Sequence, residues 1–124
     1  MKTRRNRSAT LFDLTGKVAF VTGGGRGIGK ALAKGLAQFG CDVAVVDINL
    51  QDQKSVVKAI EKQGRKCLFL SANVSDFQSI NEAVEKTLSK FRKIDILVNN
   101  AGVDIRKPAL EFTEAEWDLI VDTN

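Results

Sequence analysis

The sequence predicts an α/β fold built on a doubly wound parallel sheet. From Leu11 onward, short β-rich runs alternate with longer segments of helical period, and the four β-rich runs are almost continuously apolar. Strands of that kind are typical of parallel sheets whose two faces are both covered by helices. Right-handed crossovers and the usual doubly wound topology give the strand order 3-2-1-4, which leaves the fourth strand at an edge.

The composition is that of one globular domain. The chain has 124 residues, of which 44% are hydrophobic and 27% are charged. These values exclude collagen-like, low-complexity and strongly disordered chains, and they allow a real core. No apolar run approaches the roughly 18 residues that a membrane-spanning helix needs. We therefore expect a protein without a membrane partner.

Four strands and four helices are predicted in alternation. The predicted strands are Lys17–Thr22, Asp42–Asp47, Lys66–Ser71 and Ile94–Val98. Apolar residues recur at helical spacing in three of the segments between and after them: Ile28, Leu32, Leu36 and Phe39; Val56, Val57 and Ile60; Phe77, Ile80, Val84, Leu88 and Phe91. A fourth helix begins near Thr113 and continues to Asn124.

Local signals mark where these helices begin and end. Gly40 and Gly64 are expected to end the first two helices, because glycine readily adopts the left-handed conformation that closes a helix. Asn49 is expected to cap the second helix. Two capping boxes, Ser75–Gln78 and Thr113–Glu116, are expected to start the third and fourth helices.

A glycine-rich turn, Gly23–Gly29, joins the first strand to the first helix. Backbone N–H groups and the positive end of the helix dipole converge at such a turn, and both attract phosphate. The turn has a strand before it and a helix after it, which is the context that a phosphate-binding turn requires. We therefore expect it to bind the phosphates of a nucleotide.

The class of nucleotide depends on the residues around the glycines. Gly24, Gly29 and Lys30 match the spacing of a P-loop. Ala31, however, stands where a P-loop needs a Ser or Thr hydroxyl for Mg²⁺. The strict dinucleotide spacing G-x-G-x-x-G is not met either, but Asp47 stands at the end of the second strand, where a carboxylate can accept the ribose hydroxyls of a dinucleotide. The dinucleotide interpretation is favoured, and a P-loop-like nucleotide-binding protein is the remote alternative.

Four short motifs in chain order resemble the short-chain dehydrogenase/reductase family. They are Thr22-Gly23 followed by Gly27-Ile28-Gly29, then Asp47, Asn73-Val74 and Asn99-Asn100-Ala101-Gly102. Each one stands at the end of a predicted strand, and the similarity extends over residues 11–124. The resemblance implies a partial Rossmann-type domain over 11–124 that includes the fourth strand and the start of the next helix.

The resemblance also implies a cofactor site at the matching positions. These are Gly23, Arg26, Gly27, Ile28 and Gly29 around the pyrophosphate and adjacent ribose, Asp47 at the adenine ribose, Asn73 and Val74 beside the adenine, and Asn100, Ala101 and Gly102 along the cleft. Asn99 is expected to brace the sheet. The family usually has Asp at the position of Asn73, so the adenine contact here keeps a carbonyl acceptor and lacks the charge. No metal site is expected.

The expected cofactor is NAD. A carboxylate at Asp47 accepts hydrogen bonds from both hydroxyls of the adenosine ribose and repels a 2′-phosphate. Arg26 favours NADP, because a cation beside the loop can pair with that phosphate. No second arginine directly follows Asp47, so NADP is the less favoured cofactor.

The sequence lacks most of the catalytic residues that the resemblance implies. Asn124 matches the family's active-site Asn, which helps to hold a water in the proton relay. The family also uses a Ser and a Tyr-x-x-x-Lys pair, in which the Lys lowers the pKa of the Tyr that acts as base. This chain has no Tyr. We therefore expect a fragment of an oxidoreductase that is inactive alone and prone to associate, and the alternative is a non-catalytic dinucleotide-binding module.

For the complete enzyme the resemblance implies hydride transfer between NAD and a secondary alcohol or ketone. The segment Ile105–Trp117 is similar to segments of sugar, polyol and sugar-acid dehydrogenases and, next, of 3-oxoacyl-carrier-protein reductases, so sugar-type substrates are slightly favoured. Arg106 and Lys107 are candidate contacts for an anionic substrate, or else form a solvated loop. The family further implies a homotetramer.

The net charge of +4 comes from the first ten residues, because the remaining 15 Lys and Arg balance the 15 Asp and Glu. Residues 1–10 are therefore expected to be a solvated, disordered tail, and no nucleic-acid partner is expected. Cys41 and Cys67 have no CxxC spacing and are expected to be small buried residues at strand starts. This cysteine usage indicates a reducing, cytoplasmic compartment.

Overall fold

The computed structural model describes residues 11–124, and the expected basic tail lies outside the described residues. The strands are β1 Val18–Thr22, β2 Asp42–Asp47, β3 Cys67–Ser71 and β4 Ile96–Val98. The helices of this region are α1 Gly27–Gln38, α2 Gln53–Glu61, α3 Phe77–Phe91 and α4 Glu114–Thr123, with a short 3-10 helix at Ala109–Glu111. The predicted alternation of strands and helices is confirmed.

The four strands form one parallel sheet in the order β3-β2-β1-β4, as the sequence predicts. Thr22 at the end of β1 lies opposite Val46 of β2, and Val21 lies opposite Val98 at the end of β4. The carboxyl ends of these three strands therefore meet at one edge of the sheet. In parallel α/β folds, that edge is where ligands bind.

Helices cover both faces of the sheet. Alternate strand residues point to opposite faces, and they form two buried clusters. The cluster under α1 and α2 contains Ala19, Val21, Val43, Val45, Cys67 and Phe69 with Ala33, Ala37, Val56 and Ile60. The cluster under α3 contains Phe20, Ala44, Val46, Ala72 and Ala83. Because both faces are buried, β1 and the interior of β2 are apolar at nearly every position.

Helix α1 packs on the sheet through small residues. Gly29, Ala33 and Ala37 are its buried positions. Of the larger apolar residues that mark its period, Leu36 packs against the core, whereas Leu32 and Phe39 are about half exposed and Ile28 is 75% exposed. The apolar pattern predicts the helix correctly, but most of the buried face consists of smaller residues. Small side chains at that face let the helix axis lie close to the strands, which brings its N-terminus to the end of β1.

Two predicted helix starts are wrong in detail. The residue that precedes α2 is Asp52, and Asn49 instead accepts a hydrogen bond from the Gln51 N–H within a turn. Helix α3 is capped by Asp76, whose Oδ1 accepts from the Gln78 N–H at 3.1 Å. At α3, Ser75 and Asp76 are adjacent short polar residues that can cap the same helix, so the sequence offers two caps one residue apart.

The predicted capping box of α4 is confirmed. The Thr113 hydroxyl accepts from the Glu116 N–H at 3.2 Å, and the Glu116 carboxylate accepts from the Thr113 N–H at 3.0 Å. Lys107 Nζ adds contacts of 2.7 and 2.8 Å to that carboxylate. Lys107, with a smaller contribution from the Thr113 N–H, lowers the pKa of Glu116. The start of α4 is thereby tied to the loop that precedes it.

A carboxylate joins the amino ends of β1 and β4. Asp95 Oδ2 accepts a hydrogen bond from the Val18 N–H at 2.8 Å, and Lys93 Nζ lies 3.1 Å from the same oxygen. The Asp95 N–H in turn donates to the Val18 carbonyl at 2.9 Å. The Val18 N–H and then Lys93 lower the pKa of Asp95, because both favour the ionised carboxylate.

Both cysteines are buried and unpaired, as predicted. Burial raises the pKa of the Cys67 thiol to about 12, and the carboxylate of Glu61 adds to the effect. Burial also raises the pKa of Cys41, with smaller contributions from Asp95 and Asp42. Neither thiol is therefore ionised near neutral pH. Among residues 11–124, no helix combines the length and apolarity needed to cross a bilayer.

We predict that Cys41 and Cys67 react slowly with thiol reagents in the folded chain. A thiol with a raised pKa and little exposure reacts slowly, since the thiolate is the nucleophile. The measurement is titration of free thiols with a chromogenic disulfide reagent, with and without concentrated urea. Both thiols should react only when urea unfolds the chain. Fast reaction of both in native buffer would contradict their placement in the core.

We predict that Asp95→Asn destabilises the fold at neutral pH and has little effect in acid. A carboxyl whose pKa is lower in the folded state stabilises the fold above its unfolded pKa of about 3.9, and the stabilisation disappears as pH falls through the folded value. The measurement is the urea midpoint of both chains from pH 7 to pH 3. Asp118→Asn, on the exposed side of α4, is the control and should leave the midpoint unchanged. A deficit for Asp95→Asn that does not depend on pH would contradict this account.

Candidate functional site

The glycine loop between β1 and α1 turns sharply at two positions. Gly23 has φ +63° and Gly27 has φ +55°, conformations that favour glycine. The Gly24 N–H donates to the Val46 carbonyl at 3.3 Å. The loop is thus held against the end of β2 while it reverses the chain into α1.

The start of α1 lies in very close contact with the loop. A Cβ at Gly29 would overlap the Gly23 carbonyl oxygen and the side-chain amide of Asn100. A Cβ at Gly23 would lie 2.8 Å from the Ala101 Cα. Glycine at both positions therefore allows the loop, the helix and the segment after β4 to meet.

A hydrogen-bond network ties β1 to the segment after β4. The Asn100 side-chain amide donates to the carbonyls of Thr22 and Gly23, each at 3.1 Å. The Thr22 hydroxyl accepts from the N–H groups of Asn100 and Ala101, each at 3.1 Å. The sequence assigned the bracing role to Asn99, and this is wrong, because Asn99 is exposed and Asn100 makes these contacts.

The N-terminus of α1 presents positive charge to solvent. Arg26 is the N-cap residue with extended φ and ψ, and its side chain makes no capping hydrogen bond. The amides of Gly27, Ile28 and Gly29 follow in the first turn, where an α-helix leaves N–H groups without an intrahelical acceptor. No acidic residue stands in that turn. This combination favours an anion.

Asp47 stands at the end of β2 beside the loop. Its Oδ2 accepts from the Gly25 N–H at 2.9 Å, and its Oδ1 accepts from the Asn49 N–H at 3.0 Å. Each carboxylate oxygen has a further lone pair, so both remain able to accept from a ligand. The half-buried position of Asp47 keeps the carboxylate within reach of solvent.

Asn73 and Val74 lie in the turn after β3. The Asn73 side-chain oxygen accepts from both the N–H and the hydroxyl of Ser75, at 3.0 and 2.7 Å. The side-chain carbonyl of Asn73, the expected acceptor for the adenine, is therefore already occupied by hydrogen bonds within the turn. Both residues are half-buried.

One cavity of about 390 Å³ collects all of the residues predicted to bind a cofactor. Its lining includes Gly23, Arg26, Gly27, Ile28, Gly29, Asp47, Asn73, Val74, Asn100, Ala101 and Gly102. The other lining residues are not predicted from the sequence, and they are Val46, Ile48, Ala72, Ser75, Val103, Leu119 and Thr123. All but one of these directly neighbour a predicted site residue, including Thr123 of α4 beside Asn124. The exception is Leu119 of α4, to which no local signal points.

Asn124 lines a second cavity, of about 470 Å³, beside the first. Its side chain pairs with the backbone of Val103, accepting from the N–H at 2.8 Å and donating to the carbonyl at 3.0 Å. Val74, Ala101 and Thr123 line both cavities. The predicted catalytic Asn is thus close to the other predicted residues but lines a different space.

The two basic residues in the loop before α4, Arg106 and Lys107, bind different carboxylates. Arg106 forms an exposed ion pair with Asp104 at 2.8 Å, and such pairs contribute little to the stability of the fold. Lys107 is bound to Glu116 and lies 5.8 Å from the centre of the Phe112 ring. The contacts of the Lys107 ammonium therefore connect the loop to the start of α4. Neither Arg106 nor Lys107 lines either cavity.

Comparison with known proteins identifies relatives of this chain. The family model described as short chain dehydrogenase matches residues 17–124. A 2-dehydro-3-deoxy-D-gluconate 5-dehydrogenase of Dickeya dadantii (strain 3937) is 42% identical over 113 residues, which cover 91% of this chain and 44% of the relative. The chain therefore spans less than half the length of that protein.

Solved structures agree with this relationship. A short chain dehydrogenase from Burkholderia cenocepacia J2315 in complex with NADP is 38% identical, with a TM-score of 0.86 over 90% of this chain and 46% of the other. A short chain dehydrogenase from Mycobacterium paratuberculosis bound to NAD is 27% identical, also with a TM-score of 0.86, over 90% and 46%. The likeness thus leaves open the choice between the two cofactors. From the match over residues 17–124 and the shared fold, this chain belongs to the short-chain dehydrogenase family of oxidoreductases.

Proposed function

We propose that this chain binds NAD(H) in the 390 Å³ cavity at the carboxyl edge of the sheet. The observation that carries the proposal is the convergence of the glycine loop, the end of β2, the turn after β3 and the segment after β4 on that one space. Family membership supports the dinucleotide interpretation over the P-loop alternative. When bound, the nicotinamide would accept or supply a hydride.

The charges around the cavity support an assignment of the two halves of the cofactor. Arg26 and Asp47 are the charged residues among its described lining. In the proposal, the pyrophosphate lies at the first turn of α1, where Arg26 and the amides of Gly27–Gly29 offer positive charge and hydrogen-bond donors. The adenosine ribose then lies beside Asp47.

The preference for NAD over NADP rests on Asp47. Its two oxygens can each accept a further hydrogen bond, which suits a pair of ribose hydroxyls. A 2′-phosphate beside this carboxylate would meet like charge at short range, which is costly even in partly solvated surroundings. Arg26 can pair with that phosphate, so Arg26 favours NADP and Asp47 favours NAD. We infer that the effect of Asp47 is the larger of the two.

For the whole protein we propose hydride transfer between NAD and the alcohol or ketone of a sugar acid. The Dickeya relative, whose name specifies such a substrate, supports this class. The 124-residue chain has no Tyr, so it lacks the base that the family resemblance implies for the alcohol proton. We therefore propose that this chain is the cofactor-binding part of such an enzyme, with Asn124 contributing to the catalytic part.

We predict that the chain binds NADH more tightly than NADPH and that Asp47→Asn reduces this preference. Asparagine keeps a carbonyl acceptor but removes the charge that opposes a 2′-phosphate. The ratio of the NADPH Kd to the NADH Kd should fall about tenfold, the equivalent of roughly 1.4 kcal/mol. Isothermal titration calorimetry on the purified chain measures both constants.

Glu61→Gln is the matched control for that experiment. It removes one exposed carboxylate at the end of α2 and changes the net charge by the same amount. The ratio should be unaffected by this change. Tighter NADPH binding in the unmodified chain would overturn the assignment of Asp47, and no binding of either dinucleotide would overturn the proposed function.

We predict that the 124-residue chain binds NAD without catalysing turnover. The purified chain is mixed with NAD⁺ and 2-dehydro-3-deoxy-D-gluconate, and NADH is measured by the absorbance of the reduced nicotinamide. No NADH should form. The Dickeya relative assayed in parallel is the positive control. Steady NADH formation by the purified chain would contradict the proposal that this chain is only the cofactor-binding part of the enzyme.

The reading frame beyond the codon for Asn124 tests the proposal genetically. An open frame that encodes a Ser and a Tyr-x-x-x-Lys pair would support the cofactor-binding part of a dehydrogenase. A stop codon at that point would favour the non-catalytic dinucleotide-binding module.

A further inference from the structure

The backbone conformation of Gly25 does not explain why glycine stands at this position. Gly23 and Gly27 of the same loop have positive φ, whereas Gly25 does not. Gly25 is buried within the loop, and it does not line the cavity. An explanation for glycine at this position must therefore come from what surrounds it.

The surroundings of Gly25 are the side chain of Asp47. A Cβ on Gly25 would lie 2.7 Å from the Asp47 Oδ2, 3.0 Å from its Cγ and 3.2 Å from its Cβ. The first two distances are too short for unstrained van der Waals contact. The Gly25 N–H also donates to that Oδ2 at 2.9 Å. Gly25 thus donates its amide to the carboxylate, and the carboxylate occupies the space that a Cβ at this position would need.

The carboxylate is held from two directions. Oδ2 receives the Gly25 N–H, and Oδ1 receives the Asn49 N–H at 3.0 Å. A methyl group at position 25 would displace the carboxylate, which can rotate about two torsions. That rotation would break the charge-assisted hydrogen bond to the loop and reorient both oxygens.

We propose that Gly25 is a positioning residue that determines cofactor specificity by fixing the Asp47 carboxylate against the glycine loop. The inference deepens the proposed function, on which it rests. With the carboxylate fixed, its free lone pairs face the ribose and its charge stands where a 2′-phosphate would lie. With the carboxylate displaced, the chain loses ribose acceptors and part of the barrier to NADPH.

The test compares Gly25→Ala with Gly35→Ala. Both add one methyl group, but a Cβ at Gly35 meets nothing within 4 Å. Gly25→Ala should weaken NADH binding about tenfold, the effect of one charge-assisted hydrogen bond, and should lower the ratio of the NADPH Kd to the NADH Kd. Gly35→Ala should leave both constants unchanged. Circular dichroism and the urea midpoint establish that each variant is folded.

A double-mutant cycle separates positioning from direct obstruction. In an Asp47→Ala background there is no carboxylate for the methyl group to displace. Gly25→Ala should then change neither Kd by more than about twofold, which is within the usual additivity of independent sites. A methyl group that simply obstructed the cofactor would weaken binding equally in both backgrounds, and that result would overturn the inference.

Hydrogen exchange tests the contact without any ligand and without a change at Gly25. The amide of Gly25 should be protected in the unmodified chain and should exchange at least about tenfold faster in Asp47→Ala, because its acceptor is removed. Unchanged exchange would overturn the inference even if Gly25→Ala did not fold.

The outcomes for the two proposals are distinguishable. If the unmodified chain binds neither NADH nor NADPH, the proposed function fails and the specificity role fails with it. If the chain prefers NADH and Gly25→Ala behaves like Gly35→Ala, the proposed function stands and the role of Gly25 is overturned.

Discussion

The close approach of α1 to the carboxyl end of β1 determines the geometry of the whole site. Gly29 lies against the Gly23 carbonyl, and Asn100 closes the same contact from the segment after β4. Ala33 and Ala37 continue the small face along the helix, so the axis stays near the sheet over its length. A larger side chain at any of these positions would move the helix N-terminus, and with it the free amides, away from the end of β1. The anion-binding properties of the loop therefore depend on a packing constraint.

The site combines groups that are far apart in the sequence and fixes them with few hydrogen bonds. Thr22 and Asn100 connect β1 to the segment after β4, and Asp47 connects the end of β2 to the glycine loop. Each connection uses a backbone amide or carbonyl on one side, so the loop conformation and the side-chain positions depend on each other. For this reason a residue such as Gly25 can influence ligand choice without lining the cavity.

The sequence predicts the sheet and the lining of the site well, because both follow from strong signals. Four apolar runs fix a parallel sheet, and the motifs at the strand ends bring eleven predicted residues to one cavity. Finer features depend on contacts that the pattern does not contain. Asn100 rather than Asn99 braces the sheet, because neighbouring side chains point in different directions and tertiary packing decides which one reaches Thr22. The predicted cap of α3 is wrong for a similar reason, since Ser75 and the true cap Asp76 are adjacent polar residues. The predicted cap of α2 is wrong because Asn49 lies in a separate turn three residues before Asp52, which precedes the helix.

The most direct test of the central claim is a map of backbone amide shifts as NADH is added to isotope-labelled chain. The largest shifts are expected at Gly27–Gly29, Asp47 and Asn73–Val74, because these segments line the proposed pyrophosphate, ribose and adenine positions. The amide signals of residues at the opposite edge of the sheet, such as Val18 and Asp95, should not shift. Shifts confined to the neighbouring cavity around Phe20, or no shifts at saturating NADH, would contradict the account.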